Sequence, residues 1–148
     1  MLEFLIRVFP AFKECWENDD LYRDSNGSFT PHGLMGAFLD FYQNNYVNLN
    51  SRQLNDLCIK FEMLVSADPA DKNPLANAIC TAFLELLVDT KPGDKIEPFL
   101  GRACRKFWDH YKFYIVVTIK SLKYLSAIFL TFYQNKLLSL VAAGLKNQ

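Results

Sequence analysis

Histidines, cysteines and clustered carboxylates are the residues from which a chain could build a catalytic or metal-binding site. This sequence of 148 residues contains two histidines and four cysteines. His32 falls in the first turn of a predicted helix, where a neutral polar residue needs no chemical role. His110 follows Trp108-Asp109 in a basic, aromatic stretch, so an enzyme would have to work through His110 with Asp109 or a nearby cysteine. Cys15, Cys58, Cys80 and Cys104 are widely spread, and no pair has the C-x-x-C spacing of a zinc knuckle or redox turn. Three of them lie on apolar helix faces and read as reduced core residues. The local signatures of zinc proteases, α/β-hydrolases and P-loop enzymes are missing. The acid-rich run from Asp19 to Gly27 fails as an EF-hand, because with Gly27 at the sixth position an acid would be needed at Tyr22. The sequence therefore predicts no enzyme activity, no catalytic residue, no cofactor and no metal.

Two other groups of residues suit recognition. Glu14, Glu17, Asp19, Asp20 and Asp24 are interleaved with Trp16 and Tyr22, and acids beside aromatics can form a charged rim around an apolar anchor. The competing reading is a solvated helix end with its aromatic side chains turned inward. Arg102, Arg105, Lys106 and Lys112 accompany Phe107, Trp108 and Tyr111, a combination that could serve nucleic acid through phosphate contacts and stacking. The acidic remainder opposes that use, and nucleic acid is not expected. Residues 1–100 hold eight bases and fifteen acids, a formal charge of 8 − 15 = −7, whereas residues 101–148 hold eight bases and one acid, 8 − 1 = +7. Such asymmetry points to halves that pack together or to a charged partner.

The elements that must position these residues are helical. Leu2, Leu5, Ile6 and Phe9 share one helix face, and Pro10 kinks that helix or opens a second, which carries Phe12, Cys15 and Trp16. Asp24-Ser25-Asn26-Gly27-Ser28 is a turn signal. Thr30-Pro31 reads as an N-cap and first helical residue ahead of Leu34, Phe38, Leu39 and Tyr42, with Asn44-Asn45 at the far end. Ser51 is the expected next cap, before the regular stripe Leu54, Leu57, Cys58, Phe61, Leu64 and Val65. Asn73-Pro74 repeats the device ahead of Leu75, Ile79, Ala82, Phe83, Leu86 and Leu87, and Lys91-Pro92-Gly93-Asp94 closes this segment. After a short turn around Pro98, a last helical stretch, continuous, bent or broken, is predicted from near Gly101 almost to Gly144. The expected fold class is all-α, five or six antiparallel helices in a bundle or a short helical-repeat arrangement.

Half of the residues are apolar, 51%, enough to fold without staples. Two segments are expected, a helical domain over 1–112 and an apolar helical tail over 113–148 that packs on the domain or serves association. The tail contains twenty residues, Phe113 to Phe132, about the length that crosses a bilayer. Its eleven large aliphatic residues and phenylalanines contribute about −3 to −7 kcal/mol, and Lys120 and Lys123 near its centre cost about +2.5 to +3.5 kcal/mol each, so the terms nearly cancel. That sum argues against a committed span and leaves burial, self-association or contact with a membrane surface. The opening residues, with Glu3 and an apolar run that stops at Arg7, do not read as a secretory signal, which implies a cytoplasmic location.

At Phe9-Pro10-Ala11-Phe12 followed by Trp16, and again at Leu100-Gly101-Arg102-Ala103-Cys104-Arg105-Lys106-Phe107-Trp108-Asp109, the sequence resembles a family of small uncharacterised bacterial helical proteins with F-P-x-F-x-x-x-W and L-G-x-x-x-R-x-x-W-D motifs. Phe83-Leu84-Glu85-Leu86-Leu87 fits the family's middle helix. The resemblance covers roughly residues 4 to 112. Members look like immunity proteins of bacterial toxin systems or accessory proteins of similar size, which implies a stoichiometric protein binder with no catalytic residues to carry over. The expected function is a protein-binding module, an immunity-type inhibitor or regulator whose acidic surface suits a basic partner protein. The alternative is a membrane-associated or homo-oligomeric structural protein that acts through the tail.

Overall fold

Three helices of this protein start at a short polar side chain with a proline in the first helical turn, because that combination satisfies an orphan amide and presets the turn. In the computed structural model, which describes residues 1–18, 21–22, 26–67 and 72–118, Thr30 accepts from the Gly33 amide at 3.0 Å and opens the helix Pro31–Asn45. Asn73 accepts from the amides of Leu75 and Ala76 at 3.0 and 3.2 Å and opens the helix Pro74–Ala78. Thr90 accepts from the Gly93 amide at 3.0 Å and opens the helix Lys91–Ile96. The helix before Lys91-Pro92-Gly93-Asp94 closes at Leu87. With Thr90 as its cap and a proline in its first turn, the same tetrapeptide begins a helix.

The described elements are α1 (Leu2–Val8), α2 (Phe12–Glu17), α3 (Pro31–Asn45), a 3-10 turn (Tyr46–Asn48), α4 (Ser51–Ala67), α5 (Pro74–Ala78), a π-helical turn (Ile79–Leu84), α6 (Glu85–Leu87), α7 (Lys91–Ile96), a second 3-10 turn (Glu97–Phe99) and α8 over 102–118. The fold is all-α, and no β-strand occurs among the described residues. Pro10 separates α1 from α2, with helix on both sides. The cap of α4 is Asn50, one residue before the expected Ser51. Asn50 Oδ1 accepts from the Gln53 amide at 3.0 Å and Gln53 Oε1 accepts from the Asn50 amide at 3.1 Å, a reciprocal capping box.

The chain divides into two units, Met1–Tyr111 and Lys112–Gln148, and of the second only 112–118 are described. In the first unit α3 packs against α2, α5 and the π turn, and α4 packs against α1, α5 and the π turn. Aromatic rings join these layers. Phe38 lies 5.1 Å from Phe9, 5.2 Å from Phe12 and 5.4 Å from Phe83, while Phe83 also meets Tyr42 at 5.4 Å and Phe61 at 5.3 Å. Polar ties fix the ends. Tyr42 donates to the Pro92 carbonyl at 2.9 Å, Lys95 donates to the carbonyls of Tyr46 and Val47, and Gln53 Nε2 donates to the Val8 carbonyl at 3.0 Å.

The π turn alters which residues face the core. It holds more residues per turn than an α-helix, so a stripe read at α-helical spacing slips when it passes through. Leu84 is fully buried and Leu86 is 54% exposed, whereas the α-helical reading placed Leu86 on the inner face.

Candidate functional site

The acidic segment begins on α2, a helix of six residues whose inner side carries Phe12 and Trp16. Those two rings are 6.1 Å apart, and Trp16 meets Phe29 edge to face at 5.0 Å. Trp16 is only 5% exposed. It therefore belongs to the core and does not serve as the apolar anchor of a surface rim. Glu14 and Glu17 are exposed on the outer side, and Glu17 forms an ion pair with Lys13 at 3.7 Å. Asp19, Asp20 and Asp24 lie outside the described residues. Tyr22 is half-buried and donates to Asp40 Oδ2 at 3.0 Å. Its ring lies over α3 at a place where only glycine fits, since a Cβ on Gly36 would stand 2.7 Å from Tyr22 Cε1.

A residue that the sequence pattern did not single out stands in the same segment. Leu21 is 79% exposed, between the acids Asp20 and Asp24 in the chain. A lone leucine among acids has no periodicity to mark it. Leu21 is thus a large apolar side chain at the surface, whereas Trp16 is turned inward.

The other chemistry-bearing side chains are held in structural contacts or in apolar surroundings. His32 Nε2 lies 3.2 Å from Thr81 Oγ1, which ties the start of α3 to the π turn. Cys58, Cys80 and Cys104 are buried and free, and Cys15 is exposed and free. Burial pushes the Cys80 thiol up to about 11 and the Cys58 thiol up to about 12. Burial also raises Cys104, with the neighbouring Glu62 carboxylate adding to the effect. None of these three is a thiolate near neutral pH, which removes them as nucleophiles there. No group of three or more potential metal ligands occurs among the described residues.

Glu62, on α4, reaches the start of α8. Its Oε1 accepts from the Ala103 amide at 2.7 Å and its Oε2 from the Cys104 amide at 3.0 Å, so a side chain of α4 caps the start of α8. Burial taken alone would raise the Glu62 carboxyl. The amides of Ala103 and Cys104, joined by the Cys104 thiol, outweigh burial and hold the carboxyl below its ordinary range. Gly101 leaves room for this contact, because a Cβ there would stand 2.5 Å from Glu62 Cδ. The glycine and arginine of the Leu100–Asp109 stretch thus have structural work, Arg105 donating to Glu97 Oε1 at 3.0 Å and to the Glu97 carbonyl. Trp108 of that stretch is 1% exposed, a core residue.

His110 borders a cavity of about 520 Å³ lined by Val65, Cys80, Ala103, Lys106, Phe107 and His110. Among the described residues, no helix is long and apolar enough to cross a membrane. Comparison with known proteins finds no matching family model, no matching curated protein and no matching solved structure.

Proposed function

We propose that this protein is a non-enzymatic binding module, an inhibitor or regulator of the immunity type that docks on a basic partner protein through the acidic segment around α2 and Leu21. The observation that carries this reading is Leu21, a large apolar side chain left 79% exposed in the acidic part of the chain. Exposure of one leucine is ordinary on its own. Here it coincides with exposed Glu14 and Glu17 and with three further acids in the adjoining sequence, and an apolar contact inside a charged rim is how many protein interfaces are built. Charge supports the same partner. Residues 1–111 hold eleven bases and sixteen acids, 11 − 16 = −5, an excess that favours a basic partner.

Affinity capture with the tagged protein from its native lysate, at low and at high salt, tests this reading. A basic protein recovered in equimolar amount at low salt and diminished at high salt agrees with it. Recovery of membranes, or of nothing but the chain itself, removes it.

A second reading rests on the far end of α8. Phe113, Tyr114, Val116 and Val117 are exposed. An apolar surface of that kind suits self-association or a membrane surface. Sedimentation and vesicle flotation separate the two readings, since the binding module remains monomeric and does not float.

A further inference from the structure

The cavity beside His110 lies away from the acidic segment and has a composition of its own. Ala103, Lys106, Phe107 and His110 sit at i, i+3, i+4 and i+7 on α8 and therefore share one face of that helix. Val65 from the end of α4 and Cys80 from the π turn complete the walls. Phe107 stacks on Tyr111 at 5.6 Å with 23° between the ring planes, and Tyr111 donates to Glu85, so the aromatic wall is braced from behind. The volume of about 520 Å³ lies within the usual range for small-molecule sites. A π turn is retained against a small energetic disadvantage, frequently next to a functional site.

Among the described residues, polar side chains lie on one side of this space. Val65, Cys80, Ala103 and Phe107 form an apolar lining, and the Cys80 thiol stays neutral. Lys106 and His110 are exposed at the rim, one helical turn apart, and among the described residues neither forms a salt bridge. The amides of Ala103 and Cys104 are already taken by Glu62, so an anion here would be met by the two side chains and not by the helix start. One permanent cation with one histidine matches a single carboxylate. A phosphate or nucleotide would call for more donors than the described residues of this rim offer.

We propose that this cavity binds an aliphatic monocarboxylate of medium chain length, with its hydrocarbon body against Val65, Cys80, Ala103 and Phe107 and its carboxylate at Lys106 and His110. The proposal is independent of the protein-docking surface and uses none of its residues. The site holds its ligand by burial of the chain and orients it by charge.

The test is an amide-resolved NMR titration of the full chain with decanoate below its micelle concentration, with decanol and acetate in parallel. The expected result is saturable shifts confined to the amides of Val65, Cys80 and residues 103–110, decanoate at least about tenfold tighter than decanol, and no binding of acetate. The double variant Lys106→Gln/His110→Gln should bring decanoate down to the level of decanol. Ala103→Trp should fill the cavity and abolish both. Because a tryptophan there could disturb α8, the exposed Lys106→Glu serves as a second variant, expected to weaken decanoate at least about tenfold and to leave the fold intact. Shifts scattered over the protein, equal affinity for decanol, or unchanged binding by either charge variant would overturn the assignment.

Discussion

A carboxylate that accepts two backbone amides at the start of another helix joins two parts of the chain through one side chain. Glu62 does this for α8. Glu62→Ala should cost about 1–2 kcal/mol, measured by urea unfolding at neutral pH. Its carboxyl titrates below the ordinary 4.5 in the folded protein, so the contribution is fully present above that pH and is lost as the pH falls through the depressed folded value. The gap in stability between wild type and Glu62→Gln should accordingly narrow as the pH is taken below 4.5, and a constant gap would contradict the assignment. Gly101→Ala should act through the same contact, because its Cβ would displace the Glu62 carboxylate. Combined with Glu62→Ala it should add little, and full additivity in a double-mutant cycle would separate the two sites. The thiols give a chemical check. With Cys58, Cys80 and Cys104 buried and Cys15 exposed, a thiol reagent at mildly alkaline pH should label one cysteine per native chain and four after denaturation.

Among the elements, α3 and α5, each opened by a polar cap followed by proline, and α4, marked by its regular stripe, were readable in advance, and the stripes of α3 and α4 placed Leu34, Phe38, Leu57, Cys58 and Phe61 in the core. Two features were not. A π turn leaves no local mark in sequence, since it arises from how Ile79–Leu84 packs against α3 and α4, and it moved Leu86 to the surface. The segment at Lys91–Asp94 was ambiguous because Pro-Gly favours turns, whereas Thr90 two residues before the proline favours a helix start. Only the fold around Trp108 and Leu87 decides between them. A Cβ at Gly93 would stand 1.9 Å from the Leu87 carbonyl oxygen and 3.0 Å from the Trp108 ring. Gly93→Ala should therefore destabilise by about 3 kcal/mol or more, seen as a lower urea midpoint with unchanged slope. Phe83 contacts rings from α3 and α4, and Phe83→Ala should cost about 3–5 kcal/mol.

On the scale of the whole molecule, charge is the property most visible from sequence, and shape is the least. The acidic character of the first hundred residues needs only counting, but whether an aromatic residue in that region faces a partner or the core depends on packing. Trp16 and Tyr22 are interleaved with acids in the same sequence pattern, and the structure buries the first and docks the second on Gly36 and Asp40. Leu21, with no pattern to mark it, is the apolar side chain that remains outside. Likewise the cavity at His110 combines three separate elements, and only Ala103, Lys106, Phe107 and His110 share a spacing that a sequence could display. The measurement that bears most directly on the proposed binding function compares wild type with Glu14→Gln/Glu17→Gln/Asp19→Asn/Asp20→Asn/Asp24→Asn in calorimetric titration of the captured partner over a range of salt. A protein that docks through this segment loses at least about tenfold in affinity at low salt and most of its salt dependence, with its thermal unfolding unchanged. Equal affinity and an equal salt slope for the two chains would contradict the account.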